Sequence, residues 1–275
     1  MSKKIYFVST EVSPFAEVTS LSKFSNHIAS EFHANKIDLR VFTPRYGFIS
    51  ERRYVIREVI RLKDMETDFK GEVVIASGKS AFLPQTKVQV YFLDYPLYFG
   101  SKNKALYRVP EGRYNSRNAE KYGFFSKITM KNLLELYWQP DYIFCNDWTT
   151  ALIPILLKTI CTDEEFFDGI KTILNITNPE EMGKFEAKHL KMLGIDESLI
   201  EGYENNLLAL AAKYADEVIA TSIDGRDVRK ELEQNTLFMD SLKSQGKELK
   251  VFTVGEDENW SSVSNDIAEH FQLNE

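Results

Sequence analysis

Two hydrophobic rhythms alternate along the chain. Residues 4–9 form a short β-branched and aromatic run closed by a polar turn, the mark of a buried strand. Residues 21–33 then place Leu21, Phe24, Ile28 and Phe32 at helical spacing. Residues 38–42 return to strand character and end at Thr43-Pro44, so the opening reads as a β-α-β unit. Residues 55–62, 71–76 and 87–94 read as successive strands with polar links, an antiparallel excursion spanning 51–94. Residues 99–118 are polar and aromatic and read as a loop, and a loop of that length in a compact domain tends to carry function. Beyond it the pattern predicts helices at 119–138, 149–159, 206–215, 224–232 and 264–271. Strands are expected at 141–146, 171–176, 217–221 and 249–254, with 178–203 polar and loosely helical. The fold class predicted is α/β: one Rossmann-like, three-layer domain over 1–275, with a mostly parallel sheet and a β-hairpin excursion.

Composition narrows the chemistry. The 275 residues carry 34 Lys+Arg against 41 Asp+Glu, a net charge of −7, which leaves no overall basic footprint for nucleic acid or an anionic membrane. The apolar run at 5–8 is too short for a secretory segment, and no stretch is long enough for a membrane helix. Cys145 and Cys161 have no metal or disulfide spacing and read as small buried hydrophobes, consistent with a reducing cytoplasm. Only 13 glycines are present, and Gly47 alone falls in the first 70 residues, where a phosphate-cradling loop would want several. Gly78-Lys79-Ser80 looks like the end of such a loop, but the required earlier glycine is Val73 and a strand follows, so it reads as a hairpin turn. His27, His33, His189 and His270 are scattered and read as helix-surface residues. No metal site and no cofactor is expected.

Several segments, in order, resemble one family: bacterial glycogen synthase and plant starch synthase. Residues 4–16, Pro44-Arg45-Tyr46-Gly47 and Tyr91-Phe92-Leu93-Asp94 with Pro96-Leu97-Tyr98-Phe99 resemble its early motifs. Residues 118–126, Asn146-Asp147-Trp148-Thr149, Tyr214-Ala215-Asp216 and Val251-Phe252-Thr253-Val254-Gly255 with Trp260 continue the likeness to about residue 260. The resemblance implies the N-terminal half of a two-domain B-type glycosyltransferase, with the hinge and terminal helix in 255–275. It also implies glucose transfer from ADP-glucose or UDP-glucose to an α-1,4-glucan. The family's catalytic Glu and phosphate-binding Arg/Lys pair belong to a second domain, expected to be missing here. No catalytic residue is therefore assigned in this chain, which is expected to be inactive alone.

In the family the loop after the first strand reads K-T-G-G-L and meets the donor's diphosphate side. Here it is Glu17-Val18-Thr19-Ser20-Leu21. Lys to Glu reverses the charge, a shift of several kcal/mol at roughly 4–6 Å and an effective dielectric near 20. Thr19 and Ser20 add Cβ atoms where glycines allow close approach. A polar loop capping the next helix is the plainer reading of 17–20. In the family Asp and Trp at the positions of Asp147 and Trp148 contact sugar, and Thr177 replaces a cleft-lining His. Tyr98 and Asn178 are further candidates for the glucan. Trp148 could equally pack in the helix–sheet core. The alternative function is a non-catalytic, glucan-binding or regulatory subunit, with a partner protein or a second copy where the second domain would dock.

Overall fold

The computed structural model describes residues 3–109 and 111–274. In chain order the strands are β1 Lys4–Val8, β2 Asp38–Pro44, β3 Arg57–Glu58, β4 Met65–Phe69, β5 Glu72–Phe82, β6 Gln89–Asp94, β7 Tyr142–Asn146, β8 Lys171–Ile176, β9 Glu217–Ser222 and β10 Lys250–Thr253. The helices are α1 Leu21–Ala34, α2 Glu51–Tyr54, α3 Pro96–Phe99, α4 Asn118–Leu136, α5 Leu152–Thr159, α6 Ala187–Met192, α7 Leu207–Tyr214, α8 Val228–Glu233, α9 Thr236–Ser244 and α10 Trp260–His270.

The sheet order is β10-β9-β8-β7-β1-β2-β6-β5-β3, with β4 paired to β5. Neighbours from β10 to β6 are parallel, and β5 joins antiparallel. This is the mostly parallel open α/β sheet expected. Ile5, Tyr6, Phe7 and Val8 are wholly buried because helices cover both faces of a parallel sheet. On α1 the apolar stripe of Leu21, Phe24, Ile28 and Phe32 is buried, as its spacing demands. α1 packs with α10, whereas α4, α5, α7 and α9 pack in sequence as a second layer. Strand order reverses between β1 and β7: the chain leaves β1 through α1 toward β2, and leaves β7 through α5 toward β8. Such a switch point opens a crevice at the carboxyl ends of the strands.

Where β2 ends, Arg45 donates two hydrogen bonds to Asp94 Oδ1 on β6 (2.8 and 2.6 Å). Gly47 then donates to the Phe99 carbonyl (2.8 Å), and a Cβ on Gly47 would stand 2.0 Å from the Gly100 oxygen. Glycine is required there by close approach of two backbones, not by a positive φ.

The excursion departs from expectation. Gly78-Lys79-Ser80 is no turn; it lies inside β5, opposite Leu93, Phe92 and Tyr91 of β6. Gly78 is there because Leu62 presses against it, and Lys79 pairs with Glu51 (2.8 Å) and Asp94 (3.1 Å). The real turn is Lys70-Gly71, both at positive φ, and it joins β5 to a strand the pattern hid, β4. Only Arg57–Glu58 of the 55–62 run pairs as strand, since Val55 turns left-handed at φ 54. α9 is a further helix that the hydrophobic pattern does not predict. His189 is buried rather than on a helix surface: its Nδ1 accepts the Glu186 amide (2.8 Å) and its ring stacks on Phe185.

Candidate functional site

The loops following β1, β2, β6, β7 and β8 meet at the carboxyl edge of the sheet. A buried polar ladder ties that edge together. Asn146 donates to the Val8 carbonyl (2.9 Å), Asn175 to Asn146 Oδ1 (3.1 Å), and Thr221 to Asn175 Oδ1 (2.9 Å). These residues lie at or next to the last positions of β7, β8 and β9 and are fully buried, so each needs an internal partner.

Asp147 stands next, at φ 58, only 3% exposed. Its carboxylate accepts from the Thr177 amide (2.6 Å), the Thr177 hydroxyl (2.8 Å) and the Asn178 amide (3.0 Å). Three of the sequence candidates thus form one knot between β7 and β8. Burial drives the Asp147 carboxyl up to about 6, against those hydrogen bonds and the nearby Arg226 cation. Asn178 Oδ1 accepts from Arg226 Nη1 (2.8 Å), while Arg226 forks onto Glu231 with two bonds of 2.6 Å. The Asp147 carboxylate, the Thr177 hydroxyl and the Asn178 side-chain oxygen are engaged with protein.

Trp148 is 5% exposed. Tyr122 meets it edge-on (5.3 Å between ring centroids, 88° between planes) and Tyr107 at 5.8 Å. The ring is packed against two side chains that are themselves buried, and it offers no open face. The neighbouring Thr149 and Thr10 hydroxyls bond at 2.9 Å and close the switch point across β1 and β7.

The loop after β1 is built around Glu11, a residue within the motif but not singled out from sequence. Its buried carboxylate accepts from the Val18 amide (2.6 Å), the Thr19 amide (2.7 Å), the Thr19 hydroxyl (2.9 Å) and the Tyr107 hydroxyl (2.7 Å). Burial pushes the Glu11 carboxyl above its ordinary range despite these donors. Glu17 is exposed and accepts from the Ser13 hydroxyl (2.5 Å). Ser20 holds the N-cap position of α1 without a side-chain bond, while Thr19 Oγ1 accepts from the Leu21 amide at 3.3 Å. Of the donor-loop candidates, Thr19 is bound to the Glu11 carboxylate, whereas Glu17 bonds Ser13 and Ser20 makes no side-chain bond.

A third internal carboxylate, Glu181, accepts from the Leu207 and Leu208 amides at the start of α7 (3.0 and 2.8 Å). Burial raises it to about 7. No short-range signal could have found it, because its partners lie 26 and 27 residues away.

Tyr98 sits apart from Asp147 and Trp148, on α3. Its hydroxyl donates to Glu120 (2.5 Å) and its half-buried ring faces the Arg117 guanidinium at 5.3 Å. It lines an open cavity of about 330 Å³ formed largely by the 99–118 loop, with Lys121 in its wall. Among the described residues no group of three or more His, Cys, Asp or Glu could hold a metal ion. Among the same residues, no helix is long and apolar enough to cross a membrane. Cys145 and Cys161 are buried and unpaired.

Comparison with known proteins agrees with the fold and the motifs. Residues 4–232 match the model of the starch synthase catalytic domain. Glycogen synthase of Chlorobium chlorochromatii is 38% identical over 197 residues, covering 71% of this chain and 40% of that protein. Glycogen synthase of Chlorobaculum parvum is 36% identical over 224 residues, covering 80% and 46%. The chain thus spans less than half the length of these relatives. Among solved structures, the catalytic domain of starch synthase IV from Arabidopsis thaliana bound to ADP and acarbose superposes with a TM-score of 0.77. It is 17% identical and covers 92% of this chain and 52% of that one, a likeness of fold.

Proposed function

The chain belongs to the starch synthase catalytic-domain family, and from that premise we propose that it is a glycogen/starch synthase-like protein that binds α-1,4-glucan but holds nucleotide sugar poorly. The observation that carries this reading is the loop after β1. Glu17 presents a carboxylate where the family resemblance expects a cation, and Glu11 already takes the Val18 and Thr19 amides. A diphosphate approaching that loop meets two acidic side chains and the added bulk of Thr19 and Ser20. Stabilising a departing diphosphate needs fixed donors and positive charge, and this loop offers its donors inward.

Tyr98 is the candidate best placed for a glucan, with part of its ring open to the cavity. Asp147, Trp148, Thr177 and Asn178 shape the floor of the edge from within. The protein's relative in Arabidopsis is solved with ADP and with acarbose; we assign to this chain the carbohydrate side of that pair. A cytoplasmic setting suits the two free buried thiols. Association with a partner protein or a second copy at this edge belongs to the same proposal, with Val18 and Leu97 as its exposed apolar side chains.

Calorimetric titration with maltohexaose and with ADP-glucose tests the proposal. Saturable binding of maltohexaose with none of ADP-glucose is expected. Tight ADP-glucose binding without maltohexaose binding rejects it. The second reading is glucosyl transfer to α-1,4-glucan, favoured by the family itself. Release of ADP or UDP from the corresponding sugar nucleotide, with glycogen as acceptor, would establish it.

A further inference from the structure

The cavity beside Tyr98 has a chemistry that a neutral glucan does not use. Its wall includes Arg108, Arg117 and Lys121 and no Asp or Glu. Lys121 is 8% exposed and has no carboxylate partner among the described residues. Its ammonium donates to the Leu106 carbonyl at 3.3 Å and otherwise faces the rings of Tyr122 (4.9 Å), Phe99 (5.2 Å) and Tyr46 (5.5 Å). An ammonium has three donors, and one long bond uses only one. Cation–π contact recovers part of the lost hydration but supplies no acceptor. Burial accordingly pulls Lys121 down to about 8.

The rim supports the same chemistry. Arg108 is braced by the Gly112 carbonyl (2.8 Å) and the Tyr114 hydroxyl (3.1 Å), with its guanidinium 4.2 Å from the Tyr114 ring centroid. Arg117 is exposed; the nearest acid, Glu120, lies 3.5 Å from it but is shared with Lys70 and Tyr98. Ser101, Asn103 and Asn115 add neutral hydrogen-bonding groups. About 330 Å³ is at the lower end for ligand sites and suits one sugar-sized molecule rather than a nucleotide sugar.

We propose that this cavity binds the phosphate monoester of a hexose, with Lys121 meeting the phosphoryl oxygens from below, Arg108 and Arg117 meeting them at the rim, and Tyr98 against the sugar ring. A doubly charged phosphate matches a three-cation wall better than a single carboxylate does. The site stands whether or not the chain transfers glucose, although it shares Tyr98 with the proposed glucan contact. The phosphate is carried either by a free hexose or by a phosphorylated glucan.

Calorimetry on the full chain distinguishes these cases, using glucose 6-phosphate, a phosphorylated malto-oligosaccharide, inorganic phosphate, glucuronate and maltohexaose. At least one of the two phosphate esters is expected to bind saturably, at least tenfold tighter than inorganic phosphate or glucuronate; the tighter ester names the source. Lys121→Met is expected to weaken the ester about tenfold or more while leaving maltohexaose within about threefold. Arg117→Gln, at an exposed position, is expected to weaken the ester several-fold and guards against misfolding of the Lys121 variant. Ester affinity should also fall above pH 8, as Lys121 loses its proton. The proposal is overturned if neither ester saturates, if glucuronate or inorganic phosphate binds equally well, or if Lys121→Met weakens maltohexaose and ester alike. Failure of maltohexaose alone would count against the glucan reading, not this one.

Discussion

Replacing Asp147 by Asn should make the protein more stable at neutral pH, although it alters a residue of the motif. The side chains have the same shape. Asn keeps an oxygen for the Thr177 and Asn178 amides, and its NH2 can donate to the Thr177 hydroxyl in place of the carboxylate's acceptance. What disappears is a buried charge. The Asp147 carboxyl titrates at about 6 in the fold against an ordinary value of 3.8. Because the folded value is the higher one, the folded state holds its proton over that interval while the unfolded chain has lost it. Stability from this group is therefore full below pH 4 and is lost as pH rises to about 6. At about 1.4 kcal/mol per pH unit the loss amounts to about 3 kcal/mol. Urea unfolding of both proteins from pH 4 to 8 measures it. The curves should coincide near pH 4 and separate by about 3 kcal/mol in favour of Asn above pH 6. Parallel profiles, or a wild type that gains stability over this interval relative to the variant, would refute the reasoning. Asp147→Ala is the control: it strands two buried amides and a hydroxyl, at about 1–3 kcal/mol each, and should destabilise at every pH.

Other expectations concern the neighbouring loops. Glu11→Ala should raise hydrogen exchange at the Val18 and Thr19 amides and cost about 4 kcal/mol, since four donors lose their acceptor; unchanged exchange would mean the loop is held otherwise. Gly47→Ala should lower the denaturation midpoint by an amount equivalent to about 3 kcal/mol or more, because the new Cβ would sit 2.0 Å from the Gly100 oxygen. Because Glu17 is exposed, Glu17→Lys should strengthen weak ADP binding only about fivefold at low salt, well short of the several kcal/mol of a close contact, and the effect should fade at high ionic strength; no change would show that Glu17 does not face the ligand.

The parallel half of the sheet was legible because buried strands such as Lys4–Val8 and Lys171–Ile176 are continuous apolar runs punctuated by helical periods. The excursion was not. Met65–Phe69 reads polar since only its end residues, Met65 and Phe69, are buried. Gly78-Lys79-Ser80 carries turn-like composition for packing and pairing reasons set by Leu62, Glu51 and Asp94, all distant in sequence. At the site, Asp147, Thr177, Asn178, Glu17, Thr19 and Ser20 could be nominated from motifs; hydrogen bonds join Asp147 to Thr177 and Asn178, and tie Thr19 alone of the second set to Glu11. Their partners could not be so nominated. Glu11 is a motif residue whose role appears only once Tyr107 arrives 96 positions later. Lys121 became notable only when the fold withheld a counter-ion from it.

Gly47 and Gly100 touch backbone to backbone, with the Gly47 amide on the Phe99 carbonyl. The 99–118 segment is long enough to suggest a flap that swings over its cavity, yet its first residues are moored to the end of a central strand. There is no slack at that joint for a hinge: a displacement of Phe99 or Gly100 must drag Tyr46 and the strand exit with it. The near wall of the cavity is thus stationary, and any adjustment to an arriving molecule falls to the far rim around Arg108 and Arg117, a doorway with one fixed jamb.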